Sequence, residues 1–143
     1  MTKTMINFEE TNIATSKKST MTLAVYGTLK KGHGNYHFMK TSKFIGSGKT
    51  VDKVAMDIMG GYLIPMVFKS PEIAPVAVEV YEVPEEQILG PIDRIESNGR
   101  LYNREITQIE LNDEHKTIVD AWLYFGMRKI NPKYSQNPNL YSY

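Results

Sequence analysis

The amino-acid sequence predicts an α+β fold: a small mixed β-barrel with one or two short helices. Three observations lead there. The apolar runs are short, numerous and strand-like. Glycines stand at their ends, where a barrel turns its corners. Only brief stretches carry apolar residues at helical spacing, so helices are a minority beside the sheet. A chain of 143 residues is of ordinary single-domain length, and one core is expected.

Leu23-Ala24-Val25-Tyr26 is the first strand, stopped by Gly27. A polar, glycine-rich loop follows from Thr28 to Asn35, where Asn35 is a suitable N-cap for a short helix over Tyr36 to Met39. From Lys43 to Tyr62 the apolar residues fall into short β pieces broken by Gly46, Gly48, Gly60 and Gly61. Leu63 to Phe68 is another strand, in which Pro65 predicts an edge or a bulge.

Alternation is clearest between Ile73 and Val83. Val76, Val78 and Val80 face one way, and Ala77, Glu79 and Tyr81 the other. Pro84-Glu85-Glu86 then opens a helix, with proline early and acids at the positive end of the dipole. Ile88, Leu89, Ile92 and Ile95 continue it at helical spacing, and Gly90-Pro91 predicts a kink or a split. After a turn at Asn98-Gly99, Tyr102 to Leu111 and Thr117 to Phe125 form a hairpin around Asn112 to Lys116. Three regions follow: a polar, flexible leader over 1–20, a single domain over 21–127, and an irregular tail over 128–143 that packs on or near the pocket.

Composition narrows the function. Lys and Arg number 17 against 16 Asp and Glu, a net charge of +1 with no basic cluster for nucleic acid. Without cysteine there is no disulfide, thiolate metal site or thiol nucleophile. His33 and His37 are four apart but lack the acidic partners of a metal motif, so no metal is expected. No apolar run reaches the ~20 residues needed to span a bilayer, and the leader lacks the apolar centre of a signal peptide. A cytoplasmic protein is the expectation, with no membrane partner.

Two segments bear chemistry. In Tyr26-Gly27-Thr28-Leu29, a strand ending in glycine before a small hydroxyl residue turns backbone N–H groups outward as an anion-binding nest. Glu96 ends the apolar-faced helix, three to four residues from Ile92 and Asp93. A carboxyl beside a buried stripe loses solvent, its pKa rises, and it suits proton transfer. Each segment also has a structural reading, since strand–glycine turns are common and a glutamate at a helix end is usually solvated. Glu79, opposite the valines, is a lesser candidate for a barrel pocket.

In order along the chain stand Tyr26-Gly27-Thr28-Leu29, Gly61-Tyr62-Leu63-Ile64-Pro65, Val78-Glu79-Val80-Tyr81-Glu82-Val83, Ile92-Asp93-Arg94-Ile95-Glu96, Tyr102-Asn103-Arg104 and Ala121-Trp122-Leu123-Tyr124. This series resembles the γ-glutamylcyclotransferase / AIG2-like family, over Thr22 to Tyr124. Ser97 stands where the family usually has glycine after its catalytic glutamate.

The resemblance implies a cyclotransferase-like barrel and an enzyme that releases 5-oxoproline and an amine from a γ-glutamyl substrate by intramolecular aminolysis. It implies Glu96 as the catalytic acid/base. It implies substrate contacts at Tyr26, Gly27, Thr28, Leu29, Tyr62, Tyr102 and Tyr134, and no cofactor. The expected partner is a small γ-glutamyl molecule, acted on by a monomer or weak homodimer. The alternative is a non-catalytic module that holds a small anion on the same fold.

Overall fold

The computed structural model describes residues 19–59, 64–96, 98–127 and 139–143. Among the described residues there are seven strands: β1 (Thr20–Val25), β2 (Lys43–Thr50), β3 (Ala55–Met59), β4 (Ile64–Phe68), β5 (Ala77–Pro84), β6 (Tyr102–Leu111) and β7 (Ile118–Gly126). Five close into a barrel in the order β1-β5-β2-β6-β7, while β3 and β4 make a separate antiparallel pair. All neighbours in the barrel are antiparallel except β1 and β7, which meet in parallel at Leu23 and Trp122 and seal the ring.

The expected elements are present, with local differences. Thr20, placed in the leader from sequence, opens β1 opposite Pro84. The alternating run from Ile73 enters the barrel only at Ala77, because Ala74 and Val76 make isolated bridges to Val54 and Tyr141. Tyr36–Met39 is a single 3-10 turn, and the Asn35 side chain does not cap it. Asn35 Nδ2 donates to Thr28 Oγ1 instead, at 2.9 Å. Among the described tail residues Tyr141 is buried in the core, its amide donating to the Pro75 carbonyl.

The helix after β5 is divided into three short segments around Gly90-Pro91. It runs as an α turn over Glu85–Gln87, a π turn over Ile88–Ile92 and an α turn over Asp93–Ile95, together α1. Pro91 supplies no amide hydrogen and crowds the turn before it; a wider turn accommodates it, and the Asp93 amide reaches back to the Ile88 carbonyl. With the extra residue in the turn, Ile88 and Ile92 are both fully buried while Leu89 is exposed.

Period-two alternation divides the core. Ala24, Val78, Val80, Ala121 and Leu123 belong to one cluster. Leu23, Val25, Tyr81 and Val83 belong to the other, which takes in Ile88 and Ile92 of α1. The second cluster fixes α1 against β1 and thereby sets where Glu96, the residue after α1, can reach.

Candidate active site

The end of β1 and the end of α1 meet at one cavity of about 370 Å³. Its lining includes Tyr26, Gly27, Thr28, Leu29 and Asn35 on one side and Ile95, Glu96, Leu101 and Tyr102 on the other. Pro65 and Met66 of β4 and Tyr124 of β7 also line it. Five residues singled out from sequence, Tyr26, Gly27, Thr28, Leu29 and Tyr102, thus share one hollow with Glu96. Tyr62 and Tyr134 lie outside the described residues. Glu79 does not line the cavity; it accepts hydrogen bonds from the Lys31 amide and the Tyr81 hydroxyl.

Gly27 has no room for a side chain. A Cβ there would stand 2.8 Å from Pro65 Cγ, so β4 closes on the loop only because Gly27 is bare. The loop is braced by hydrogen bonds from the Lys30 amide to the Gly27 carbonyl at 2.9 Å and from the Asn35 amide to the Thr28 carbonyl at 2.8 Å. Among the described residues, the amides of Gly27, Thr28 and Leu29 meet no protein acceptor. That leaves them available to a bound carboxylate or carbonyl oxygen.

Glu96 is half-buried, and its carboxyl is pushed up to about 7, first by burial and then by the nearby Asp93 carboxylate. Three tyrosines stand close enough to feel the charge of Glu96. Tyr26, Tyr102 and Tyr124 are each held well above the usual phenol range, burial being the first cause and Glu96 a lesser one. All three therefore remain neutral. Their hydroxyls are committed: Tyr26 donates to the Tyr124 carbonyl at 2.7 Å, Tyr102 to the Pro65 carbonyl at 3.1 Å, and Tyr124 to Asp93. They hold the walls and exclude water, while Glu96 is the titrating group within the described lining.

The support behind Glu96 was not read from sequence. Arg104 grips Asp93 with two hydrogen bonds, at 2.8 and 3.0 Å, and lies over the Trp122 ring at 4.8 Å. The Arg104 amide also donates to Asn98, whose own amide donates to the Asp93 carbonyl. This network pins the turn between α1 and β6. Its signal lay in the Ile92-Asp93-Arg94-Ile95-Glu96 and Tyr102-Asn103-Arg104 motifs, taken only as marks of resemblance. Among the described residues no group of three His, Asp or Glu side chains could hold a metal ion.

A closed small barrel with one raised carboxyl facing a glycine-turn loop has the makings of a single-carboxylate acid–base site. The pattern of the gamma-glutamyl cyclotransferase, AIG2-like family matches residues 23–142. A gamma-glutamylcyclotransferase candidate of Methanocaldococcus jannaschii is 41% identical over 102 residues, covering 71% of this chain and 80% of its own. The gamma-glutamylaminecyclotransferase of Homo sapiens is 28% identical over 134 residues, covering 83% and 86%. The crystal structure of an AIG2-like protein from Mus musculus superposes with a TM-score of 0.74 at 30% identity, covering 87% of this chain and 88% of that one. The chain belongs to the gamma-glutamyl cyclotransferase, AIG2-like family.

Proposed function

We propose that the chain is a γ-glutamyl(amine) cyclotransferase: it converts a small γ-glutamyl amide into 5-oxoproline and a free amine, with Glu96 as acid and base. The observation that carries this reading is the raised Glu96 carboxyl in the same cavity as the Gly27–Leu29 amides.

At neutral pH the substrate's α-amine is an ammonium ion and cannot attack. A carboxylate whose pKa is near 7 is ionised often enough to take its first proton, and acidic enough once protonated to return it. The freed amine attacks the γ-carbonyl carbon and a carbon–nitrogen bond forms. The old amide bond breaks as Glu96 protonates the departing nitrogen. Two protons pass in all from the attacking nitrogen to the leaving one, one before and one after ring closure. The amine leaves as an ammonium ion and Glu96 ends ionised, as it began. The amides of Gly27, Thr28 and Leu29 would hold the carbonyl oxygen as it gains charge, or the substrate's carboxylate. The cavity would hold amine and carbonyl in contact, which supplies much of the rate by removing the search for geometry.

Pure anion binding gains nothing from Glu96, whose ionised form repels an anion. The test is Glu96→Gln. The variant should fold, and 5-oxoproline release from γ-glutamyl amides should fall at least about 10²-fold, the usual size of an acid–base contribution. An undiminished rate would refute the role of Glu96.

A further inference from the structure

We propose, resting on the reading above, that Asn35 is a positioning residue: it turns the hydroxyl hydrogen of Thr28 into the cavity, where that hydrogen is donated to the α-carboxylate of the γ-glutamyl group. Both residues line the cavity, and both are half-buried. Asn35 holds Thr28 at two points. Its amide donates to the Thr28 carbonyl at 2.8 Å, and its side-chain Nδ2 donates to Thr28 Oγ1 at 2.9 Å. The second bond runs in one direction only. Nδ2 gives hydrogens and accepts none, so the Thr28 oxygen is the acceptor and its own hydrogen must point away from Asn35. A threonine hydroxyl otherwise rotates to suit its surroundings; here one side of it is already taken.

Asn35 stands at the N-cap of the Tyr36–Met39 turn, where its side chain would ordinarily accept from the turn's amides, and it makes no such bond. Nor does the loop depend on the side-chain bond to keep its place. Glu79 Oε1 accepts from the Lys31 amide at 2.9 Å, and Lys30 Nζ donates to the Tyr143 backbone oxygen at 2.8 Å. A local preference given up at a cavity wall, in a loop fastened elsewhere, is the pattern of a functional contact. The valence of the acceptor decides which substrate oxygen the hydroxyl serves. The amides of Gly27, Thr28 and Leu29 together offer more hydrogens than a carbonyl oxygen has lone pairs. A carboxylate has about four acceptor sites and so has room for the hydroxyl as well.

The carboxylate survives in the product, so 5-oxoproline is the probe. Its control is 5-oxoprolinamide, the same ring with a neutral amide in place of the carboxylate. In titrations followed by NMR, Thr28→Val should bind 5-oxoproline about tenfold or more weaker than the native protein, the scale of a hydrogen bond to a charged group. Asn35→Ala should weaken it at least about threefold, and should make no further difference in a Thr28→Val background. Thr28→Ser, which keeps the hydroxyl, should bind like the native protein, and 5-oxoprolinamide should bind all of them alike. With a γ-glutamyl amide as substrate, Thr28→Val and Asn35→Ala should raise KM more than they lower kcat. A loop merely loosened would weaken both ligands equally and lower kcat. That result, unchanged 5-oxoproline binding in Thr28→Val, or an Asn35→Ala effect that persists without the hydroxyl would overturn this inference and leave the cyclotransferase reading standing. A native protein that neither binds 5-oxoproline nor releases it would overturn both.

Discussion

Glu96→Gln has a consequence for stability that is separable from its effect on rate. The folded protein holds the Glu96 proton more tightly than the unfolded chain, at about 7 against an ordinary 4.5. Each tenfold difference in proton affinity is worth about 1.36 kcal/mol, so the full difference is about 3 kcal/mol. Allowing for solvent that reaches a half-buried group brings the expected effect to about 2–3 kcal/mol. The sign follows from proton counting. Between pH 4.5 and 7 the native state binds more protons than the unfolded state, so stability due to Glu96 falls as pH rises through that window and is level above it. Glutamine cannot titrate. Urea unfolding of both proteins at intervals from pH 4.5 to pH 8 should therefore show the native protein losing about 2–3 kcal/mol relative to the variant. The acid limb of native kcat/KM should sit at the upper end of the same window, since an ionised base is needed. A stability difference that stays flat with pH would refute the claim that Glu96 is raised by burial, and with it the physical basis of its proposed role.

The Gly27 methyl test is steric: Gly27→Ala drives a Cβ into Pro65 Cγ at 2.8 Å, and a cost of about 1–3 kcal/mol in urea unfolding is expected, with activity falling further than stability. Tyr26→Phe removes a hydroxyl that donates to the Tyr124 carbonyl and accepts from the Val67 amide, leaving two buried backbone groups unpaired. It should cost about 1–3 kcal/mol in the same assay. Arg104→Met strips Asp93 of its two-pronged partner, with an expected loss of about 1.5–3 kcal/mol and an acid limb moved to higher pH by the uncompensated charge beside Glu96. Arg104→Lys should recover only part of both, because one ammonium cannot reproduce the fork.

These perturbations also mark where local sequence ran out. Strands β5, β6 and β7 were legible because a half-buried strand writes its two faces into alternate residues, as Val78 and Val80 do against Tyr81 and Val83. The helix beyond β5 was legible from Ile88 and Ile92, but the π turn was not: helical spacing assumes a fixed residue count per turn, and Pro91 changes it. Closure of the barrel was beyond local reach altogether. Leu23 meets Trp122 across nearly the whole domain, and no short-range pattern encodes a parallel pairing of that separation. The site inherits this limit. Its two chemical segments could be named from resemblance and residue type, yet Glu96 shares its cavity with Tyr26, Tyr102 and Tyr124, which arrive from the end of β1, from β6 and from β7. A tyrosine in an alternating strand announces only that it faces one side. Whether that side is the wall of Glu96's cavity depends on register around the ring, and a slip of one residue in β6 would carry Tyr102 to the opposite face. The carboxyl would then stand in water with an ordinary affinity for its proton. The raised proton affinity of Glu96 thus depends on barrel closure as well as on its own helix, and the Arg104–Asp93 clamp, which fixes the turn between that helix and β6, bears on it through the Asp93 charge.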